Sequence, residues 1–351
     1  MIKKRILPIH VGGTIACAQS KSGFKPTYPF ADLISKIDLS ITADHEIAPA
    51  LTPFGNCGMD SACMQIAHIQ KIAKLICTNY DKYDAFIITH GTDSLAYTAS
   101  MLTFMLHKIQ KPVIVTGAQK TLEDENSDVI GNLRTALLAT TTTNGGIWVA
   151  FNGKIIKGIR ATKMDIGVNN IDAFTSNNRD EITISDFQRH DYAINKGQLE
   201  TFTTDASTAV DIFCLTHTTT PSRLRNYLAA TDLKALIVLI YGMSGHRLEL
   251  MEILSHWAAE NKAVVIAKSH SPYGSTDLSK YESGINALKM GIISSLDMTL
   301  ECVYAKTCHL IAGDAWEQDF QQLFYTNFCG ELDETKVAQF QKKANYWLSS
   351  H

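Results

Sequence analysis

Residues 84–116 read DAFIITHGTDSLAYTASMLTFMLHKIQKPVIVT, and this stretch decides the fold of the chain. It begins with a continuous apolar run over residues 84–90, continues with an Ala-, Leu- and Met-rich segment over 94–109, and ends with a second apolar run at 112–116. Short apolar runs of this kind are typical of buried strands, and the segment between them has the length of a helix. A helix that connects two buried strands indicates a parallel sheet with both faces covered.

The same alternation extends to both sides of this stretch. Further along the chain, Asn152-Gly153 predicts a tight hairpin, because both residues tolerate the positive φ of its turn. The other elements predicted in this part of the chain are strand 5–11, a loop over 18–27, helix 64–75, helix 128–139, and strands 147–151 and 154–159.

Residues 176–209 show little apolar periodicity, so we place an interdomain linker at residues 195–210. A chain of 351 residues also exceeds the usual size of one hydrophobic core. We therefore predict two α/β domains with mainly parallel sheets, a larger N-terminal domain at 1–194 and a smaller, Rossmann-like C-terminal domain at 211–351. The elements predicted in the second domain are strands 211–216, 235–241 and 263–268, and helices 221–230, 248–260, 282–290, 298–310, 314–326 and 333–348.

Composition argues against several classes of function. The net charge is -3 and the lysines and arginines are dispersed, which disfavours a nucleic-acid partner. No apolar run approaches the roughly 20 residues that a membrane span requires. The eight cysteines contain no C-x-x-C pair and the chain has no H-E-x-x-H motif, so we predict neither a metal site nor any cofactor.

The N-terminus is similar to a secretory signal peptide in two respects. Basic residues 3–5 precede an apolar stretch, and that stretch ends in Ala-Cys-Ala at 16–18. His10 and Gly12-Gly13 interrupt the stretch, however, which favours a buried first strand. We therefore expect a cytoplasmic protein.

Two segments lie where open parallel sheets bind their ligands, just beyond the carboxyl ends of strands. In HVGGTIA, residues 10–16, paired glycines let the backbone approach a ligand and Thr14 follows them. In ITHGTDSLAYTAS, residues 88–100, a Thr-Asp pair at 92–93 precedes a helix. Each segment also has a purely structural explanation, a glycine turn in the first and a helix cap in the second. By the same reasoning, His90 is expected to be a buried histidine with satisfied hydrogen bonds rather than a base.

Taken together, the two motifs resemble those of the L-asparaginase family, in particular its cytoplasmic type I branch of bacterial-type asparaginases and glutaminases. Each motif stands in an early strand-end loop, as it does in that family. The resemblance extends over nearly the whole chain and is weakest at residues 176–208. Further matches are MDS (59–61), KPVIVTGAQ (111–119), SD-x-x-x-NL (127–133), ATK (161–163), IDAF (171–174) and DMTLE (297–301).

The resemblance implies a set of site residues. Thr14 corresponds to the nucleophile that forms an acyl-enzyme, and a threonine hydroxyl needs a base to activate it. In the family, a lysine held near a threonine and an aspartate helps to activate the attacking hydroxyl or water. The resemblance places these three residues at Thr92, Asp93 and Lys163. The substrate-binding positions fall on Asp60, Ser61, Thr92 and Asp93, with Gly91 and Ala118 expected to line the site with backbone.

The sequence departs from the family at three places. The family has a tyrosine beside the nucleophile, but Phe24 stands there and has no hydroxyl; Tyr28, four residues later, is the candidate to replace it. An allosteric site of some type I enzymes uses an arginine before a Tyr-Gly pair, where this chain has Leu239 and Ile240. A cysteine associated with that site aligns near His270. We therefore do not carry the allosteric behaviour over to this chain.

The resemblance predicts the hydrolysis of L-asparagine to L-aspartate and ammonia without a metal or an organic cofactor. It also implies a homodimer or homotetramer in which each C-terminal domain closes the neighbour's site, with contributions from residues 244–246 and Glu301.

Several alternatives stay open. A mixed glutaminase-asparaginase differs by one methylene of substrate, which changes binding by only about 1–3 kcal/mol. Phe24 motivates a second alternative, an amino-acid-binding protein that has lost turnover. A subunit of a tRNA amidotransferase would normally carry an extra N-terminal domain. A nucleotide-binding enzyme is disfavoured because the chain has neither a P-loop nor a dinucleotide motif.

Overall fold

A computed structural model gives the fold of this chain, and the chain forms two compact units, Met1–Thr204 and Asp205–His351. The first eight residues of the predicted linker at 195–210 fall within 193–202, which lie outside the described residues, so the domain bounds stay a prediction. The structure describes residues 3–38, 40, 45–142, 144–167, 172–192, 203–313 and 316–349.

The N-terminal unit combines strands and helices. Its strands are β1 (Lys4–His10), β2 (Cys17–Ser20), β3 (Gly23–Pro26), β4 (His45–Ile47), β5 (Ala85–Thr89), β6 (Pro112–Thr116), β7 (Gly146–Phe151), β8 (Lys154–Lys157), β9 (Ala161–Lys163), β10 (Phe174–Ser176) and β11 (Ile182–Thr183). Its helices are α1 (Phe30–Ile34), α2 (Ile66–Asn79), α3 (Leu95–Met105), α4 (Val129–Thr140) and α5 (Ile184–Arg189).

A seven-stranded sheet runs through this unit in the order β11-β8-β7-β6-β5-β1-β4. The pairs from β4 to β7 are parallel, whereas β7, β8 and β11 pair antiparallel. The hairpin between β7 and β8 turns at Asn152 and Gly153, whose φ angles are 46° and 71°. The predicted hairpin and the predicted, mainly parallel sheet are therefore confirmed.

The register of the central strands brings the two motifs together. His10 at the end of β1 pairs with Thr89 at the end of β5, and Thr89 pairs with Thr116 at the end of β6. The three strands therefore end at one level, and the segments that follow them start from the same edge of the sheet. The helix α3 between β5 and β6 is buried over most of its length, which explains its Ala-, Leu- and Met-rich sequence.

The segment 18–27, predicted as a loop, has more regular structure than expected. β2 and β3 form an antiparallel hairpin in which Cys17 pairs with Pro26. The backbone N–H groups of Thr27 and Tyr28 then both donate to the carbonyl of Ala16, at 2.8 and 2.9 Å. The hairpin is short and β3 is exposed throughout, so no alternation of apolar and polar residues marked it in the sequence.

The C-terminal unit has a smaller, four-stranded sheet in the order β12-β13-β14-β15, and every pair in it is parallel. This arrangement confirms the Rossmann-like second domain, although β15 has only two residues and was not predicted. The strands are β12 (Val210–Cys214), β13 (Ala235–Ile240), β14 (Val264–Ser269) and β15 (Ile293–Ser294). The helices are α6 (Pro221–Ala229), α7 (Leu248–Asn261), α8 (Glu282–Lys289), α9 (Leu300–Ala312), α10 (Trp316–Tyr325) and α11 (Glu334–Ser349).

Three further features bear on function. All eight cysteines lie in the described part of the chain, and none of them forms a disulfide. Within that same part, no helix is both long enough and apolar enough to cross a membrane. No group of three or more His, Cys, Asp or Glu side chains among the described residues is placed to hold a metal ion.

A buried ion pair lies in the C-terminal unit. Lys306 Nζ is 2.6 Å from Glu331 Oε1, and both side chains are fully buried. Lys306 also donates to the carbonyl of Thr326, and the Glu331 carboxylate accepts the backbone N–H groups of Phe328 and Cys329. Burial raises the pKa of Glu331, but the Lys306 ammonium and these hydrogen bonds outweigh burial, so the net pKa lies below its usual value.

Removal of one partner should destabilise the protein. In Lys306→Met the Glu331 carboxylate is buried without its cation, and we expect a loss of about 3–5 kcal/mol of unfolding free energy in urea. The matched control is Lys154→Met, which breaks the exposed pair with Asp172 and should cost at most about 1 kcal/mol.

The pH dependence has a definite sign. Because the pKa of Glu331 is depressed in the folded state, its stabilisation is present above the ordinary glutamate pKa of about 4.3 and is lost as pH falls below it. The free energy of unfolding in urea, measured at about pH 5 and about pH 3, should therefore fall further for wild type than for Lys306→Met. Equal losses in the two proteins would contradict this assignment.

Candidate active site

The first motif makes a close backbone contact with the second. Val11 N donates to Thr89 O at 2.9 Å, which continues the sheet for one residue beyond β1. The chain then turns through Gly12 and Gly13, whose φ angles are 107° and 83°. A Cβ atom at Gly13 would lie 2.1 Å from the Cα of Gly91, so only glycine fits there. The two loops are therefore in backbone contact.

Thr14 stands at the start of a single 3-10 turn, Thr14–Ala16, that follows Gly13. Its two successors are buried, whereas Thr14 itself is partly exposed. The Cys17 thiol is hydrogen-bonded to the residue before this turn, because its Sγ donates to the carbonyl of Gly13 at 3.3 Å. Burial, followed by the charge of Asp60, raises the pKa of the Cys17 thiol, which keeps it protonated at neutral pH.

Asp60 and Ser61 come from a third loop, which is fixed to both motifs. Gly13 N donates to Met59 O at 3.1 Å, and Ser94 Oγ donates to Ser61 O at 2.7 Å. Asp60 caps the 3-10 turn that starts at Ser61, since its Oδ1 accepts Ala62 N at 2.9 Å. Among the described residues, none donates a hydrogen bond to the other carboxylate oxygen of Asp60, which is available to a ligand.

The second motif carries a three-residue polar group. Lys163 Nζ lies 2.8 Å from Thr92 Oγ1 and 2.7 Å from Asp93 Oδ1. The Lys163 side chain is 14% exposed and that of Asp93 is 63% exposed, so the ammonium is sheltered on the protein side of the cleft. A charged lysine ammonium can only donate hydrogen bonds. The Thr92 oxygen therefore accepts one from Lys163, and the Thr92 hydroxyl proton remains free to bond another group.

The two histidines of the motifs are buried and neutral. His90 Nδ1 donates to Gly91 O at 2.8 Å, and its Nε2 accepts Thr98 Oγ1 at 2.9 Å, which confirms the prediction of a satisfied buried histidine. His10 Nδ1 lies 2.6 Å from Thr89 Oγ1. Burial lowers the pKa of each histidine to about 4. Neither ring lines the cleft, and both support the backbone behind it.

These loops enclose a cleft of about 330 Å³. It brings together seven of the predicted site residues, namely Thr14, Asp60, Ser61, Gly91, Thr92, Asp93 and Lys163. The other residues that line the cleft are Gly13, Cys17, Phe24, Pro26, Gln119 and Ile166.

Tyr28 and Ala118 are the two predicted site residues that do not line this cleft. The Tyr28 hydroxyl donates to the Glu123 carboxylate, and its ring packs against the core of the N-terminal unit. That hydrogen bond is the main cause of a raised Tyr28 pKa. Phe24, at the position where the resemblance predicts a tyrosine, lines the cleft instead and is 55% exposed. The structure thus places a phenyl ring, not a phenol, beside the other site residues.

Gln119 is a lining residue that the sequence analysis did not single out. Its neighbour Ala118 is fully buried, whereas the Gln119 side chain reaches the cleft and donates to Asp165 O at 3.0 Å. The backbone of Gln119 is held by Asp128 Oδ2 at 2.9 Å. The sequence contained one signal for this residue. Gln119 is the last residue of KPVIVTGAQ (111–119) and follows β6 closely, at the edge where parallel sheets bind their ligands.

The predicted C-terminal contributors lie in the second unit. Ser244 and His246 line a separate cavity of that unit together with Tyr241, and Glu301 is buried in α9. Their contribution to a neighbouring subunit's site stays a prediction.

Comparison with known proteins identifies the family of this chain. The model of the asparaginase N-terminal domain matches residues 5–197, and that of the glutaminase/asparaginase C-terminal domain matches residues 209–324. The chain belongs to the L-asparaginase family. The family assignment from the two motifs is therefore confirmed, and with it the assignment to the amidohydrolases.

Individual relatives agree with this assignment over nearly the full chain. The L-asparaginase of Thermococcus kodakarensis is 31% identical, with 93% of this chain and 99% of that protein aligned. L-asparaginase 1 of Escherichia coli K12 is 28% identical over 95% of this chain and 99% of its own length. A solved structure of the thermostable L-asparaginase from Thermococcus kodakarensis has a TM-score of 0.82 at 30% identity and covers 94% of this chain and 99% of its own.

The contact between Gly13 and Gly91 can be tested with one methyl group. Gly13→Ala forces a Cβ atom into the Gly91 backbone at a positive φ, so the loops must separate and turnover of L-asparagine should fall by about 100-fold or more. Gly131→Ala is the control, because its Cβ meets nothing within 4 Å and a helical alanine should stabilise by up to about 1 kcal/mol. Full activity in Gly13→Ala would contradict the proposed contact.

Proposed function

We propose that this chain hydrolyses L-asparagine to L-aspartate and ammonia, with Thr14 as the nucleophile. The observation that carries the proposal is the cleft that contains Thr14 together with the hydrogen-bonded group Lys163, Thr92 and Asp93. A nucleophilic hydroxyl beside a polar relay, within a pocket for a small molecule, fits acyl transfer.

The reaction proceeds in two halves. Thr14 Oγ attacks the side-chain amide carbon, and the electrons of the carbonyl double bond move to its oxygen. The hydroxyl proton is transferred to the amide nitrogen, the C–N bond breaks, and ammonia leaves an aspartyl ester on Thr14. Water then attacks the ester carbon, its proton returns to the Thr14 oxygen, and L-aspartate leaves.

The proton route is the step in which this chain differs from its relatives. No tyrosine lines the cleft within the described part of the chain, which supports a proposed proton acceptor other than a phenol. In our proposal the Lys163 ammonium, which Asp93 holds in place, first gives a proton to the leaving nitrogen. The amine so formed then takes up the Thr14 proton through the Thr92 hydroxyl. The Lys163 side chain is 14% exposed and hydrogen-bonded to both Thr92 and Asp93, so it is held at the position that this route requires.

The remaining polar groups fit the two charges of an amino acid. The carboxylates of Asp60 and Asp93 suit the α-ammonium group, and the Ser61 hydroxyl suits the α-carboxylate. Asp60 and Asp93 lie on different loops, so an ammonium between them would hold those loops together. Gly91 supplies backbone next to this position.

L-glutamine is a second candidate substrate. It is longer than L-asparagine by one methylene, a difference worth about 1–3 kcal/mol in a typical pocket. The cleft of about 330 Å³ has room for either amino acid.

Phe24 in the cleft also favours a second candidate function, an amino-acid-binding protein with little turnover.

Assembly and location are part of the same proposal. We expect a homodimer or homotetramer in the cytoplasm, in line with the type I relatives, and no cofactor. Light scattering of the purified protein measures the mass of the assembly, and a monomer would remove the proposed contribution of a neighbouring C-terminal unit.

Replacement of the nucleophile is the first test of the function. Thr14→Ala removes the attacking oxygen, so ammonia release from L-asparagine should fall by about 1,000-fold or more, while L-aspartate still binds by calorimetry. Thr78→Ala, an exposed threonine on α2, is the control and should keep wild-type turnover. Wild-type protein that binds L-aspartate but releases no ammonia would favour the binding protein over the enzyme.

The missing phenol can be restored. Phe24→Tyr places a hydroxyl at the position where the family has one, and kcat should rise by about tenfold or more, since a positioned acid-base group contributes at least that much. Phe24→Leu, which adds no hydroxyl, should not increase kcat. A Tyr28→Phe variant in the same assay reports on the other tyrosine, and a large loss of kcat there would show that Tyr28 acts in turnover.

A further inference from the structure

The C-terminal unit has a second concave site, unrelated to the cleft. It is a groove of about 630 Å³ between the last helix, α11, and the turn that precedes α8. Its lining residues are Ser279, Lys280, Gln339, Lys342, Lys343, Tyr346 and Trp347. The match to the asparaginase C-terminal domain ends at residue 324, so the α11 side of the groove lies outside the matched region, whereas Ser279 and Lys280 lie within it.

The sequence of α11 gives it two distinct faces. Val337, Phe340 and Ala344 are buried and attach the helix to the unit. Residues 339, 342, 343 and 346 are spaced three and four apart, so they form a continuous stripe next to the buried face. This second stripe is exposed and lines the groove.

The groove is positively charged in a chain whose net charge is -3. All of its charged lining residues are lysines, and residues 335–349 contain no aspartate or glutamate. The Asp277 carboxylate accepts Ser279 N and Ser279 Oγ at 3.0 and 2.5 Å and lies 3.8 Å from Lys280 Nζ. That carboxylate is therefore engaged locally, and Lys342 and Lys343 remain available to an anion.

Two aromatic rings stand beside these lysines. Tyr346 is 63% exposed and Trp347 is 38% exposed, and their ring centroids are 5.0 Å apart in an edge-to-face arrangement. Exposed tryptophan and tyrosine side chains are enriched where proteins bind partners, because they bury a large area with little loss of rotamer freedom. Aromatic rings next to lysines are the combination that recognises a planar base attached to phosphates.

From this arrangement we infer that the groove binds a nucleotide, with its base on Trp347 and Tyr346 and its phosphates on Lys280, Lys342 and Lys343. Gln339 supplies both a donor and an acceptor for the edge of the base. The volume of about 630 Å³ is adequate for one mononucleotide. An acidic peptide would satisfy the lysines but would leave the faces of the two rings without a planar partner.

The experiment titrates ATP into the full-length protein and follows binding by calorimetry and by tryptophan fluorescence. Adenosine and inorganic triphosphate are titrated separately, because each carries one half of the proposed ligand. The variants are Lys342→Gln/Lys343→Gln and Trp347→Leu. The control is Lys74→Gln/Lys289→Gln, which removes two exposed lysines elsewhere and therefore changes the net charge by the same amount.

We expect ATP to bind at one site and about tenfold more tightly than either adenosine or triphosphate. The lysine double variant should weaken ATP about tenfold, and the control should not. Trp347→Leu should weaken ATP and leave triphosphate unchanged. Turnover of L-asparagine should be the same in all variants, so the test is independent of the proposed enzymatic function.

Three results would overturn the inference. The first is the absence of saturable ATP binding in the millimolar range. The second is triphosphate or polyglutamate binding as tightly as ATP, which would mean that the groove recognises charge alone. The third is an equal loss of ATP affinity in the control double variant, which would assign binding to the overall charge of the protein.

Discussion

The backbone contact between Gly13 and Gly91 is the constraint on which the rest of the site depends. A Cβ atom at Gly13 would lie 2.1 Å from the Cα of Gly91, so the two loops approach as closely as backbones can. This contact brings Thr14 and Thr92 into one cleft, and the register between β1 and β5 makes it possible by ending both strands at the same level. A Cβ atom at Gly13 would push the two loops apart and separate Thr14 from its proposed activating group.

The two histidine side chains that are buried behind this contact are neutral. His10 and His90 are buried under the loops, and burial lowers the pKa of each to about 4, so both carry no charge at neutral pH. A charged imidazole there would face a large desolvation cost. The charges of the site lie instead in the cleft, on Asp60, Asp93 and Lys163, where solvent and substrate can reach them. The fold thus separates groups that hold the backbone from groups that contact the ligand.

Phe24 stands where the resemblance to the family predicts a tyrosine. The hairpin of β2 and β3 places its ring at the cleft, and a phenyl ring carries no hydroxyl. Tyr28 does not compensate in this structure, because its hydroxyl is bonded to Glu123 and its ring packs against the core. The proposed proton route from Thr14 therefore uses other polar groups of the cleft, of which Lys163 and Thr92 are hydrogen-bonded to each other.

The sequence alone determined the alternation of strands and helices, the hairpin at Asn152-Gly153 and seven of the residues that line the cleft. These features are local or carried by motifs, since apolar periodicity, turn residues and the two motifs are each contained in a short segment. Only the tertiary structure decided that Gln119 and Cys17 line the cleft and that Tyr28 does not. Those outcomes depend on the path of a hairpin and on hydrogen bonds between residues far apart in the chain, such as Tyr28 with Glu123, which no local pattern encodes.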